Sequence, residues 1–225
     1  MEHLTYTVNG LSFHLDTIFT MWLCMGFLII CAFLMTRKVS LVPSSLQYVA
    51  EKIVGVFLDL SETMMGKDGK NHVPLLASLF LFILIGNLCG QLPWKLYELK
   101  TGEFASPTND INMTASMAII VLIYYVFQGI KKKGFKFFLH SFSVPDIITA
   151  LIDLLEMVVR PFTLALRLYA NIFAGEILIT AFVGICAYFL PLPIMLFEVF
   201  VAFIQAFVFT LLSMSYIAIS VQNEH

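Results

Sequence analysis

Charge is what this sequence has least of. Asp, Glu, Lys and Arg make up 12% of its 225 residues, against about 25% in an ordinary soluble domain. Hydrophobic residues make up 60%, and mean hydropathy is +0.90. That balance excludes a water-soluble globular chain and points to a polytopic membrane protein. Basic residues are scarce too, and they gather in no broad patch, so a nucleic-acid surface is excluded. The four cysteines (Cys24, Cys31, Cys89, Cys186) lie inside apolar runs without metal-ligand spacing. They read as small core or lipid-facing residues, and no metal is expected. Walker, glycine-rich phosphate-binding, nucleophile-elbow and zinc motifs are all missing. No cofactor and no catalytic chemistry are therefore expected. The first apolar run is preceded by Met1-Glu2-His3 rather than a basic flank, and it is long enough to span; it reads as retained, not cleaved.

What is present is a series of apolar runs in one membrane domain covering residues 1–225. Residues 1–16 form a short polar lead. Residues 17–36 are a first span, closed by Arg37 and Lys38. In residues 43–66, Glu51, Lys52, Asp59 and Glu62 interrupt the apolar positions after a Pro43-Ser44-Ser45 helix start. That pattern suits an amphipathic helix on the membrane surface, or equally a connector helix facing water. Residues 73–92 and 111–130 are uncharged second and third spans. The loop between them carries Trp94 and Tyr97, aromatics suited to a membrane interface. Residues 145–190 read as one long helix. At about 1.5 Å per residue it exceeds a hydrocarbon core of about 30 Å, so it must tilt, kink or break, with Pro161 as a kink candidate. Pro191-Leu192-Pro193 is expected to turn the chain before a last long tilted helix over 194–221. The expected fold is all-α, with five crossings and one surface helix.

The charges are segregated. The first three spans carry none inside, whereas the last two carry Asp153, Glu156, Arg160, Arg167, Glu176 and Glu198. At about 100° per residue, with Arg167 at zero, Arg160 lies near +20°, Glu156 near −20°, and Asp153 and Asn171 near +40°. One polar stripe thus runs along the long helix, and Glu176 lies opposite it. On the last helix Glu198 and Gln205 share a line that continues to Phe209 and Tyr216. Two readings of the stripe stand side by side. It is an ion path, or it is internal pairing of the kind that Glu156 and Arg160 make at i,i+4. Arg167 differs from the rest because it has no acid three or four positions away. An arginine near the centre of a span costs roughly 2.5–3.5 kcal/mol and cannot shed its proton. It needs an acidic partner from elsewhere, and another subunit is one source. Glu176 and Glu198 lie near the outer ends of their helices and could meet across the pair. Asn109, Asp110 and Asn112 read as a helix cap, Asn87 and Gln91 as interhelical hydrogen bonds, and His72 and His140 as solvated loop residues.

The run Arg160-Pro-Phe-Thr-Leu-Ala-Leu-Arg167-Leu-Tyr-Ala-Asn171-Ile-Phe-Ala-Gly175-Glu176 resembles the signature of subunit a of the F-type ATP synthases, subunit 6 in mitochondria. Ile204-Gln205-Ala-Phe-Val-Phe-Thr-Leu-Leu212 is similar to that family's second signature. Asn87-Leu-Cys-Gly-Gln-Leu-Pro93 and Pro107-Thr-Asn-Asp-Ile-Asn-Met-Thr114 resemble its two upstream motifs. The likeness covers most of residues 73–221 in order; the first third matches in architecture only. It implies a non-catalytic stator subunit beside a rotating ring of c subunits, held by b-type peripheral stalk subunits within a lipid membrane. Two half-channels would reach the ring from opposite sides, with Arg167 between them facing the ring carboxylate. Asn171 and Gln205 match polar neighbours of that arginine, and Glu176 and Glu198 match the outer half-channel. Asp153 and Glu156 would lie near the cytoplasmic half-channel. The Ala-Gly-Glu ending looks bacterial rather than mitochondrial, which implies the cytoplasmic (inner) membrane.

Orientation follows from the basic residues. Arg37, Lys38 and the cluster Lys131, Lys132, Lys133 and Lys136 fall on one side if the N-terminus is outside and the C-terminus cytoplasmic. Two rival classes stand against this reading. One is a secondary transporter in which Arg167 binds an anionic substrate, although no inverted repeat is visible. The other is a structural membrane subunit whose polar stripes are glue.

Overall fold

The computed structural model describes residues 5–8, 11–37, 39–91, 107–134, 144–185 and 191–221; the side chains of several helical positions within these, Asp153 and Glu176 among them, lie outside that description. The polar lead contains a small hairpin. Strands β1 (Thr5–Val8) and β2 (Leu11–His14) pair antiparallel, with Thr5 opposite His14 and Val8 opposite Leu11. Asn9-Gly10 joins them, a two-residue sequence suited to the tightest hairpin turn. Apart from the connector residues 37, 39–44 and 110, the rest of what is described is helical: α1 (Leu15–Thr36), α2 (Ser45–Met65), a 3₁₀ turn (Gly66–His72), α3 (Val73–Gln91), a 3₁₀ turn (Pro107–Asn109), α4 (Ile111–Lys133), α5 (Val144–Ile185) and α6 (Pro191–Val221).

The ends of these helices follow from local chemistry. Ser44 caps α2 by accepting the Gln47 amide, and Asp110 caps α4 by accepting the Asn112 amide at 2.9 Å. Gly66 and Gly134 end the same two helices with φ of 65° and 64°, where a residue with a Cβ would be strained. α6 begins on Pro191 itself. Pro191 and Pro193 therefore sit in its first turn, where a missing N–H leaves no hydrogen bond unmade. Pro161 lies inside α5 without ending it, so α5 runs unbroken for 42 residues and α6 for 31.

Five stretches are long and apolar enough to cross a membrane: Thr17–Thr36, Ser45–Gly90, Ile111–Lys132, Val159–Ile179 and Pro193–Val221. The second joins α2, the first 3₁₀ turn and α3, and its uncharged part is α3. α3 and α6 pack together, α4 packs on α5 and α6, and α5 packs on α6. Their common core holds Leu76, Ile83, Val121, Leu164, Leu168, Phe209, Met214 and Ile217, each at most 1% exposed. α1 stands at the edge of this bundle. Phe19, Trp22, Phe27, Ile29, Ile30 and Phe33 are exposed, and Cys24 is its one fully buried apolar side chain among the described residues. In water such a surface would aggregate; in lipid it costs nothing.

Candidate functional site

The two faces of α5 are chemically distinct. With Arg167 at zero, the buried residues Pro161, Leu164, Ala165, Leu168 and Ile172 fall between about +60° and +160°. Exposed Leu155, Glu156, Val159, Phe162, Thr163, Leu166, Phe173 and Leu178 fall between about −140° and +20°. Arg167 belongs to the exposed face, at its boundary with the buried one. It makes no ion pair and no hydrogen bond with the described residues. Asn171, one turn on, is half-buried between the two faces.

Arg160 has a different setting, although it shares the stripe. Its Nη2 pairs with the Glu156 carboxylate, and its guanidinium lies 5.3 Å from the centroid of the Tyr216 ring on α6. Tyr125 of α4 adds a tilted ring contact to Tyr216 at 6.4 Å. The structure therefore satisfies one arginine of the stripe internally. Asp153 lies one turn before Glu156 on α5, with its side chain outside the description.

α6 supplies a buried polar line. Glu198 and Gln205 are each 8% exposed. Gln205 Nε2 has no hydrogen-bond partner among the described residues. Asn87 of α3, wholly buried, donates to the Ala202 carbonyl between them at 3.4 Å. This joins α3 to α6 in the same layer as Glu198 and Gln205. A buried amide group without a partner costs about 1–3 kcal/mol, which marks this layer as a place where water or a passing polar group would be welcome.

Glu198 meets α5 at Gly175. A Cβ on Gly175 would stand 2.9 Å from the Glu198 carboxyl carbon, and closer still to Oε1. Only a residue without a side chain lets this carboxylate lie against the α5 backbone. The next residue is Glu176, so the two acids are brought to the same level of the α5–α6 pair; the Glu176 side chain lies outside the description.

Sequence reasoning misses two features. His72, read as a solvated loop residue, is 3% exposed. The 3₁₀ turn carries it beneath α4, where Nδ1 stands 2.9 Å from Tyr124 Oη and the rings meet edge-on. Asp68 of the same turn pairs with Lys132, and Lys70 with Glu62 at 3.3 Å. The second feature is Cys24 Sγ of α1, 3.4 Å from Cys89 Sγ of α3. His140 lies outside the described residues, as does Cys186 at the level of its side chain and backbone.

These features define a polytopic helical membrane protein with a cation on an outward face, unpaired among the described residues, and a buried carboxylate at a helix–helix contact. The family model described as ATP synthase A chain matches residues 18–218. ATP synthase subunit a of Gloeobacter violaceus is 38% identical over 223 residues, covering 99% of this chain and 90% of that protein. The chloroplastic subunit a of Bigelowiella natans is also 38% identical, covering all of this chain and 93% of its own length. That of Oedogonium cardiacum is 34% identical over 226 residues. The chain belongs to the ATP synthase A chain family, and it is a non-catalytic membrane subunit of a proton-translocating ATP synthase.

Proposed function

We propose that this chain is the stator against which a ring of carboxylate-bearing c subunits turns, and that Arg167 is the charge the ring carboxylates pass. The observation that carries the reading is the exposure of Arg167 on the outward face of α5 without a partner among the described residues. A permanent cation in a span is stable only when an anion or water meets it. A ring carboxylate supplies that anion transiently. Attraction at an interface of low dielectric favours the ionised carboxylate as it passes, and the fixed positive charge repels a proton seeking a direct route between the half-channels.

In this reading Glu198, seated on Gly175, and Glu176 beside it line the outer half-channel. Gln205 and Asn171 are polar neighbours of the arginine, and Asp153 and Glu156 stand toward the cytoplasmic half-channel. The N-terminus is outside and the C-terminus cytoplasmic. α5 and α6, at about 63 Å and 46 Å by residue count, lie strongly tilted in a core of about 30 Å. α2 rests on the cytoplasmic surface. Its buried side holds Gln47, Phe57, Ser61 and Met65, its exposed apolar side holds Val49 and Val56, and its charged side holds Glu51, Lys52 and Asp59. Such a three-sided helix suits core, lipid and water together. b-type stalk subunits would hold the chain against rotation.

ATP-driven proton pumping in inverted membrane vesicles tests the proposal, with wild type compared to Arg167→Ala in an assembled complex. Loss of pumping with unchanged subunit composition is expected, together with a raised passive proton leak once the soluble sector is stripped. Normal coupled pumping by the variant would overturn it.

A further inference from the structure

Cys24 and Cys89 are 65 positions apart in sequence, on two different helices, yet their sulfurs lie 3.4 Å from each other. Spacing gives no hint of this contact. Cys24 is fully buried and Cys89 is half-buried. Both are free thiols. A disulfide requires the sulfurs at about 2.05 Å, so they need to close by only about 1.4 Å. Side-chain torsions with a small shift of α1 supply such a distance. α1 is the helix best placed to shift, because most of its surface faces outward and it is attached along a narrow contact with α3, α2 and the turn at Pro107–Asn109.

We propose that Cys24 and Cys89 form an oxidisable dithiol, a redox modification site that staples α1 to α3. The oxidant is a disulfide of low molecular weight or a protein disulfide partner, acting by exchange. The half-buried Cys89 meets it first. The Cys89 sulfur attacks one sulfur of the incoming disulfide; that S–S bond breaks, one thiol leaves, and a mixed disulfide forms on Cys89. The Cys24 sulfur then attacks the Cys89 sulfur, releasing the second thiol. In sum two S–H bonds and one external S–S bond break, one internal S–S bond and two external S–H bonds form, and the two electrons go to the oxidant. Burial of Cys24 fixes the order, since a reagent reaches it only through its neighbour.

The test uses the assembled complex in native membranes, treated with dithiodipyridine and then alkylated, and read by peptide mass mapping of this subunit. The expected result is a linked pair of peptides carrying Cys24 and Cys89, two hydrogens lighter than their sum, reversed by a thiol reductant. In Cys24→Ala the mixed disulfide on Cys89 persists, because nothing resolves it. In Cys89→Ala, Cys24 stays unmodified under the same treatment. A wild-type subunit in which both cysteines remain free, or in which each retains its own pyridylthio group, overturns the proposal. Modification of Cys24 in Cys89→Ala at the wild-type rate overturns the order of attack.

Discussion

Arg160 and Arg167 lie on one helix, two turns apart and within about 20° of each other, and the structure treats them oppositely. Arg160 has an acid on its own helix and an aromatic face on α6. It bridges its own helix and α6, so its charge is already met within the chain. Arg167 has the same chemistry but no partner among the described residues, and it faces outward. Residue type is shared; the difference is the company each charge keeps. A cation satisfied at home anchors the bundle, whereas an unsatisfied one is available to something that arrives.

The sharpest way to break this contrast is Arg167→Ala, which should reduce ATP-driven pumping to background while the complex assembles. Gly175→Ala comes next. A methyl group there collides with the Glu198 carboxylate, so the acid must leave its seat; pumping should fall several-fold, measured as the initial rate in the same vesicles. Tyr124→Phe should leave pumping close to wild type. It strips the buried His72 of its partner, a loss of about 1–3 kcal/mol, visible as a lower melting temperature of the detergent-solubilised complex. Arg160→Gln should do least. Its ion pair is partly exposed and worth roughly 0–1 kcal/mol, and its ring contact about 0.5–1 kcal/mol. A small drop in melting temperature with retained pumping is the expected outcome. Abolished pumping in Arg160→Gln would erase the distinction between the two arginines.

Much of this was legible in the sequence because lipid simplifies the code. Long uncharged runs have one stable solution in hydrocarbon, a helix, and an arginine left inside one stands out without any structure. Cap chemistry at Asp110 was equally local. The unread parts depend on contacts between distant segments. His72 ends a charged, glycine-containing turn and so looks solvated; it is buried because that turn packs on α2 and α3 and its ring meets Tyr124, 52 positions on. The seat of Glu198 on Gly175 is a packing fact, since a glycine before a glutamate in a helix has many other uses. The hairpin could have been found. Thr5-Tyr-Thr-Val and Leu11-Ser-Phe-His flank Asn9-Gly10, a short-range hairpin signal obscured by the apolar run that follows.

The unbroken passage of α5 through Pro161 has one more consequence. A continuous helix is a ruler. Eight residues separate Arg167 from Gly175, so about 12 Å of rise lies between them, and Glu198 is pinned to the Gly175 mark. A proton hop spans a single hydrogen bond of about 3 Å. In the proposed reading, a proton resting on Glu198 would therefore stand several hops from the level of the arginine, and the stiffness of one helix would keep that interval open. That insulation would then be written as a count of residues, and a single residue added to or removed from α5 between 168 and 174 would change the gap by about 1.5 Å and the bearing of the charge by about 100°.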